Sequence, residues 1–161
     1  MLRLIALCAA LFVVTAGPAF AQSNINLGGI AVDTSAAIEV TADSLSVDQA
    51  SGKAVFNGNV IIVQGDLRLT AGRVEVLYGT DTSQIARLIA TEAVTFVTAE
   101  EAAEAQEADY DVTTGLLILA GDVLLTQGPS AISADQMTIN VTDGTAAMDG
   151  RVRTVLQQGD N

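Results

Sequence analysis

The sequence predicts an all-β protein of stacked antiparallel strands, either a jelly roll or an open β-sandwich. Three features carry the prediction. Apolar and polar residues alternate with period two, turn residues punctuate that alternation, and two short patterns recur in units of about 29 residues.

The first pattern reads Val40, Thr41, Ala42, Asp43, Ser44, Leu45, Ser46, Val47. It returns as Leu69, Thr70, Ala71, Gly72, Arg73, Val74, Glu75, Val76, and again as Ile132, Ser133, Ala134, Asp135, Gln136, Met137, Thr138, Ile139. A worn copy runs from Ala103 through Ala105 and Ala108 to Tyr110. The second pattern falls at Gly58 with Val60, Glu92 with Val94, Gly121 with Val123, and Gly150 with Val152. The two patterns lie 18 residues apart in three units and 23 apart in one, where five extra residues fit a loop around 79–84. Four repeats of roughly 29 residues are therefore expected.

The elements follow in chain order. Arg3 precedes a 13-residue apolar stretch over residues 4–16, then Gly17, Pro18 and the small residues Ala19 and Ala21. That stretch is shorter than the roughly 20 residues a spanning helix needs. Residues 1–21 are thus expected to be a secretory signal peptide cut after Ala21. Cys8 follows the bulky Leu7, which does not suit a lipidation site. Residues 22–37, polar and small with Gly28 and Gly29, are expected to form a flexible arm.

In the next segment Ala54, Phe56, Gly58, Val60 and Ile62 form one row of a strand, answered later by Leu117, Leu119, Gly121, Val123 and Leu125. Lys53, Asn57 and Asn59 take the opposite row. In the first pattern the apolar positions are 40 and 42, then 45 and 47, so the parity breaks at Ala42 and Asp43 and a bulge or corner is expected there. Turn residues at Ser51 and Gly52, Gly65 and Asp66, Thr114 and Gly115, Gly128 and Pro129, and Asp143 and Gly144 predict roughly fourteen short strands. Residues 98–107 are rich in the helix formers Ala and Glu. The repeat nevertheless places Ala103 to Tyr110 in an extended unit, so a loop or one helical turn over 98–103 is expected, followed by strand. Residues 157–161 are expected to form a short tail.

The 161 residues suffice for one domain, with 19 acidic against 7 basic side chains and a formal charge of -12, or -13 once Arg3 is removed. So acidic a chain lacks the cations that neutralise phosphate backbones, which excludes nucleic acid as a partner. The sequence has no His, which removes Ser-His-Asp triads and His-based zinc sites. Without the signal peptide there is no Cys, one Lys (Lys53, after a turn glycine), and only Tyr78 and Tyr110 as phenols. No Gly-rich phosphate loop followed by Lys occurs. No catalytic residue, cofactor or metal is expected. Glu100, Glu101, Glu104 and Glu107 lack the Gly-punctuated loop of a calcium site and read as a solvated acidic edge. Carboxylates alone do serve glycoside hydrolysis, and Asp43, Asp109, Asp111 and Asp135 are available. Asp43 and Asp135, however, follow a corner Ala at equivalent repeat positions, which suits turn stabilisation.

The stretch Ile38, Glu39, Val40, Thr41, Ala42, Asp43, with Phe56, Asn57, Gly58, Asn59, Val60 and then Gln64, Gly65, carries a family likeness. So do Tyr110, the run Leu119, Ala120, Gly121, Asp122, Val123, the pair Gln127 and Gly128, Ala134 with Asp135, and Val152, Arg153, Thr154, Val155, Leu156. On these residues the chain resembles the OstA-like (LptA) family of periplasmic lipopolysaccharide-transport bridge proteins over residues 38–156. Gly72, in place of the second copy's acid, and the worn copy at 103 depart from the pattern.

The resemblance implies a β-jelly roll, V-shaped in section and open at both ends, that carries lipopolysaccharide through the periplasm by its lipid A acyl chains. It implies an inner-membrane anchored partner at the N-terminal edge, around Ile38 and Val40. At the C-terminal edge, around Val152, Thr154 and Leu156, it implies an outer-membrane translocon or a second copy in a head-to-tail homo-oligomer. Ile38, Val40, Phe56, Val60, Ile62, Leu69, Phe96, Tyr110, Leu119, Val123 and Leu125 are expected to face the groove. Aliphatic rows without Trp suit saturated acyl chains rather than sugars. Burying a CH2 is worth about 0.8 kcal/mol, so a twelve-carbon chain gains roughly 10 kcal/mol and leaves for water very slowly. That favours sliding between abutting grooves over a diffusing shuttle. The alternatives are a periplasmic scaffold stacked by its strand edges and a carboxylate-based carbohydrate-active enzyme.

Overall fold

A computed structural model of the chain describes residues 24–26, 35–80 and 84–155, which hold eleven β-strands and no helix. They are β1 (Asn24–Asn26), β2 (Glu39–Thr41), β3 (Ser44–Asp48), β4 (Lys53–Gln64), β5 (Leu67–Tyr78), β6 (Ile85–Val97), β7 (Glu101–Asp111), β8 (Leu116–Gln127), β9 (Ser130–Asn140), β10 (Thr145–Asp149) and β11 (Arg153–Val155). All pair antiparallel in one sheet of order β1-β10-β9-β8-β7-β6-β5-β4-β2, with β3 also on β4 and β11 also on β9. The expected signal peptide (1–21), the tail (157–161) and Leu156 lie outside the described residues. Within the segment expected to be an arm, β1 pairs with Thr145, Ala146 and Ala147 of β10.

Eleven strands stand where about fourteen shorter ones were expected, because β4 to β9 run unbroken through a corner. In β5, β7 and β9 the corner is the parity break after Ala71, Ala105 and Ala134, like the one after Ala42. In β4, β6 and β8 two successive residues have positive φ: Gly58 (+77°) and Asn59 (+47°), Glu92 (+69°) and Ala93 (+57°), Gly121 (+81°) and Asp122 (+48°). Register shows two residues opposite one. Asn57 faces Arg73 and Val60 faces Ala71, leaving Gly58 and Asn59 against Gly72. Glu92 and Ala93 likewise stand against Gln106, and Gly121 and Asp122 against Asp135. These bulges bend every long strand at the same level, so the sheet folds on itself along a seam.

The fold makes two layers whose apolar faces close over one core cluster. One layer holds β3 and the halves of the long strands that run beside it and beside β10, with Val74, Val76, Leu88, Leu117, Leu119, Met137 and Ile139 pointing inward. The other holds β2, β11 and the remaining halves, with Val60, Ile62, Leu67, Leu69, Val94, Phe96, Val123 and Leu125 inward.

The helix-forming stretch is not helical. Thr98 N donates to Glu101 O (2.9 Å) and Glu101 N to Thr98 Oγ1 (3.2 Å), closing a tight turn, and β7 already starts at Glu101. Ala103, Ala105, Ala108 and Tyr110 are buried, and that inward row decides against intrinsic helix propensity.

Candidate functional site: the interior between the layers

Cross-strand pairing links the inward residues into continuous rows perpendicular to the strands. In one layer Val40, Ile62, Leu69, Phe96, Ala103, Leu125, Ile132 and Thr154 are successive partners. In the other, Leu45, Phe56, Val74, Ala90, Ala108, Leu119, Met137 and Met148 are. Each row crosses its layer from the β2/β3 end to the β10/β11 end, giving the interior an apolar lining along its whole length.

All eleven residues expected at the groove face this interior. Val60, Ile62, Leu69, Phe96, Tyr110, Leu119, Val123 and Leu125 are buried in the core cluster, and Ile38, Val40 and Phe56 pack against it half-buried. Sequence reasoning missed Val74, Ala90, Ala108, Ile132 and Met137. Val74 and Met137 sit at the repeat position of Leu45, so the repeat register held the signal for them. The interior is nearly filled by its own side chains. A cavity of about 20 Å³ remains, enough for one water, lined by Ile38, Ile62, Leu69 and Tyr110 from the expected set and by Gln64, Leu67, Leu88 and Leu117 among others.

The two ends differ. At one, β2 and β3 are the outermost strands, and Leu45 and Val47 on β3, on the inward row, are 55% and 58% exposed. At the other, β11 is exposed throughout and β1 flanks β10. Ile38 and Val152 sit one residue outside β2 and β11 rather than within edge strands, whereas Val40 and Thr154 lie inside them.

The candidate carboxylates Asp43, Asp109, Asp111 and Asp135 lie outside the core cluster, and each has a partner. Asp43 accepts from Asn59 Nδ2 (2.8 Å) and Asp135 from Arg151 Nε (2.9 Å), both along the seam. Arg87 Nε donates to Asp109 Oδ1 (2.6 Å), and Asp111 Oδ1 accepts the Thr114 N–H (2.9 Å) of the β7–β8 turn. Lys53 Nζ meets Glu75 Oε1 at 2.6 Å. The Arg151 hydrogen bond holds the Asp135 carboxyl below its usual range, the Lys53 bond does the same for Glu75, and the Thr114 N–H for Asp111. The carboxylates that could have served a glycosidase are thus engaged in corner, turn and ion-pair contacts. Glu101 departs from the solvated edge expected of it: it is buried and accepts from Gln127 Nε2 (2.9 Å) and Thr98 Oγ1 (3.2 Å). Among the described residues no group of three or more His, Cys, Asp or Glu is placed to hold a metal ion.

The fold and its interior define an antiparallel β-jelly roll, open at both ends, with one apolar track between its layers. The chain belongs to the family described as "LptA/(LptD N-terminal domain) LPS transport protein", whose model matches residues 39–145. It is similar to "Uncharacterized protein R00383" of Rhizobium meliloti (strain 1021), 28% identical over 153 residues that cover 88% of this chain and 82% of that protein. Its fold is similar to that of LptH, titled the LptA homologous periplasmic component of the conserved lipopolysaccharide transport device from Pseudomonas aeruginosa. There the TM-score is 0.71 at 18% identity, covering 79% of this chain and 99% of that one.

Proposed function

We propose that this lipopolysaccharide-transport family member is a periplasmic bridge segment that holds the acyl chains of lipopolysaccharide between its two layers and passes them on end to end. The observation that supports this best is the pair of inward apolar rows running from one end of the sheet to the other. A saturated chain entering between the layers meets aliphatic side chains for the whole length. The phosphorylated headgroup meets a strongly acidic surface and stays in solvent. Ile38, Val40, Phe56, Val60, Ile62, Leu69, Phe96, Tyr110, Leu119, Val123 and Leu125 form the chain-binding surface. The β2/β3 end accepts the inner-membrane anchored partner, and the β11 end meets the outer-membrane translocon or the β2/β3 end of another copy, by strand addition to unpaired backbone groups. Energy for directed movement comes from a partner, since the chain has no nucleotide-binding loop.

The test places a photoreactive side chain at Val40, Phe96 or Tyr110 and adds lipopolysaccharide; adducts are expected there and not from Asn57 or Asn59. Equal adducts from both sets would reject the interior as the binding surface. Lipid mass spectrometry on protein purified without detergent separates a carrier, which retains lipid, from a scaffold, which does not.

A further inference from the structure

We propose that the Tyr110 hydroxyl is the hydrogen-bond donor that reads an acyl carbonyl of the cargo, so that the interior selects ester- or amide-linked chains over bare hydrocarbon. This rests on the carrier reading above. Tyr110 is 8% exposed, and among the described residues its Oη is buried without a hydrogen-bond partner. It borders the small interior cavity, whose lining is otherwise aliphatic except for Gln64. The Gln64 side chain is already engaged, Nε2 donating to Ala36 O at 3.2 Å.

A buried hydroxyl without a partner carries its full desolvation penalty. A phenyl ring would fill the same space without it, and this interior uses phenyl rings at Phe56 and Phe96. The hydroxyl is therefore a cost to the free protein that a ligand acceptor can remove. Its place in the fold says which acceptor. Tyr110 pairs with Leu88 and Leu117 in the inward row farther from the seam, one residue before the end of β7 and beside the β7–β8 turn. A lipid whose headgroup stays in water puts its acyl carbonyls at this margin, just before the chains pass inside. The carbonyl loses water there and needs a donor. Burial also pushes the Tyr110 phenol up, which keeps its proton in place at neutral pH.

The test compares the mature protein with Tyr110→Phe in three measurements: thermal stability, binding of lipopolysaccharide labelled on its sugar by fluorescence anisotropy, and binding of N-phenylnaphthylamine, an apolar dye without a carbonyl. Tyr110→Phe is expected to melt at the same temperature or higher, to bind lipopolysaccharide about five- to tenfold more weakly, and to bind the dye unchanged. A lower melting temperature would mean that the hydroxyl is satisfied in the free protein, for instance by a water in the cavity, and would overturn the proposal. Unchanged lipopolysaccharide binding, or equal loss for lipid and dye, would overturn it too. Failure of the unsubstituted protein to bind lipopolysaccharide would instead reject the carrier reading on which the proposal rests.

Discussion

Glu92 lies over Gly72, so closely that a Cβ added to Gly72 would fall 2.7 Å from Glu92 Cβ. At the other corners the relationship is reversed: Asp43 lies over Gly58, Gln106 over Gly121 and Asp135 over Gly150, with a Cβ on those glycines falling 3.0, 2.9 and 2.7 Å from the Cβ of the residue above. Gly72 in place of an acid and Glu92 in place of a glycine look like two separate departures in the sequence. In the fold they are one exchange, in which the side chain and the gap it fills have changed strands.

That exchange predicts strong coupling between the two positions. Gly72→Asp alone drives a side chain into Glu92 and should destabilise by about 1–3 kcal/mol. Glu92→Gly alone relieves a left-handed glutamate (φ +69°) and should stay within about 1 kcal/mol of the parent. The double variant restores the arrangement of the other corners and should recover most of the first loss, which urea unfolding of all four proteins measures. Strictly additive effects would contradict the exchange.

Burial separates core packing from the groove surface. Phe96, with no exposed surface, should cost about 3–5 kcal/mol as Phe96→Ala. Ile38→Ala, at a half-buried position on the cavity, should cost about 1 kcal/mol yet weaken lipopolysaccharide binding measurably. Denaturant melts paired with binding titrations give both numbers for each variant.

The ends of the sheet should govern association. Leu45 and Val47 are more than half exposed, so replacing both by Lys should leave the melting temperature within about 3 °C of the parent and suppress end-to-end self-association in sedimentation velocity. Thr154→Pro removes a backbone donor from β11 and should weaken self-association and translocon docking while sparing the inner-membrane contact. Loss of both contacts to the same degree would contradict the assignment of partners to ends.

Stability should be flat between about pH 5 and 9, because the sequence has no His to titrate there. Asp48, held down mainly by Ser51, Glu75 by Lys53, Asp111 by Thr114, Asp135 by Arg151 and Asp143 by Thr145 all have depressed carboxyl pKa values. Their contribution is present above the ordinary carboxylate range and is lost as the pH falls through the folded values. Tyr110, raised by burial, acts on the other side: its contribution is present below about pH 10 and is lost as the pH rises. Melting temperature followed by circular dichroism across pH should therefore fall at both extremes, and Tyr110→Phe should soften only the alkaline fall. A step near neutral pH would contradict this account.

The repeat made much of this fold legible, because its two patterns are the two sides of the seam: the Ala-acid pairs are single-residue corners and the Gly-x-Val motifs are the two-residue ones. Period-two alternation likewise placed Val60, Ile62, Leu119 and Val123 on the inner face. Strand number differs because the parity break at Ala42 and Asp43 separates β2 from β3, whereas the equivalent breaks after Ala71, Ala105 and Ala134 only bend β5, β7 and β9. Glu101 was misplaced because its burial depends on Gln127, twenty-six positions away, and no local feature announces that hydrogen bond. Nor does sequence reveal that the Tyr110 hydroxyl lacks a partner among the described residues, which depends on everything packed around it.

Every strand ladder stays within one layer or rounds the seam, so the layers face each other through side chains alone. A barrel closed on itself must unzip a strand pair to admit anything larger than its lumen. Were the leaves here to part like an open book, every backbone N–H and C=O of the ladders would keep its partner. A hydrocarbon guest between them would exchange one set of methyl contacts for another, so its entry and departure would be swaps of like for like. The thickness of what lies between the covers can change without any strand being rewritten.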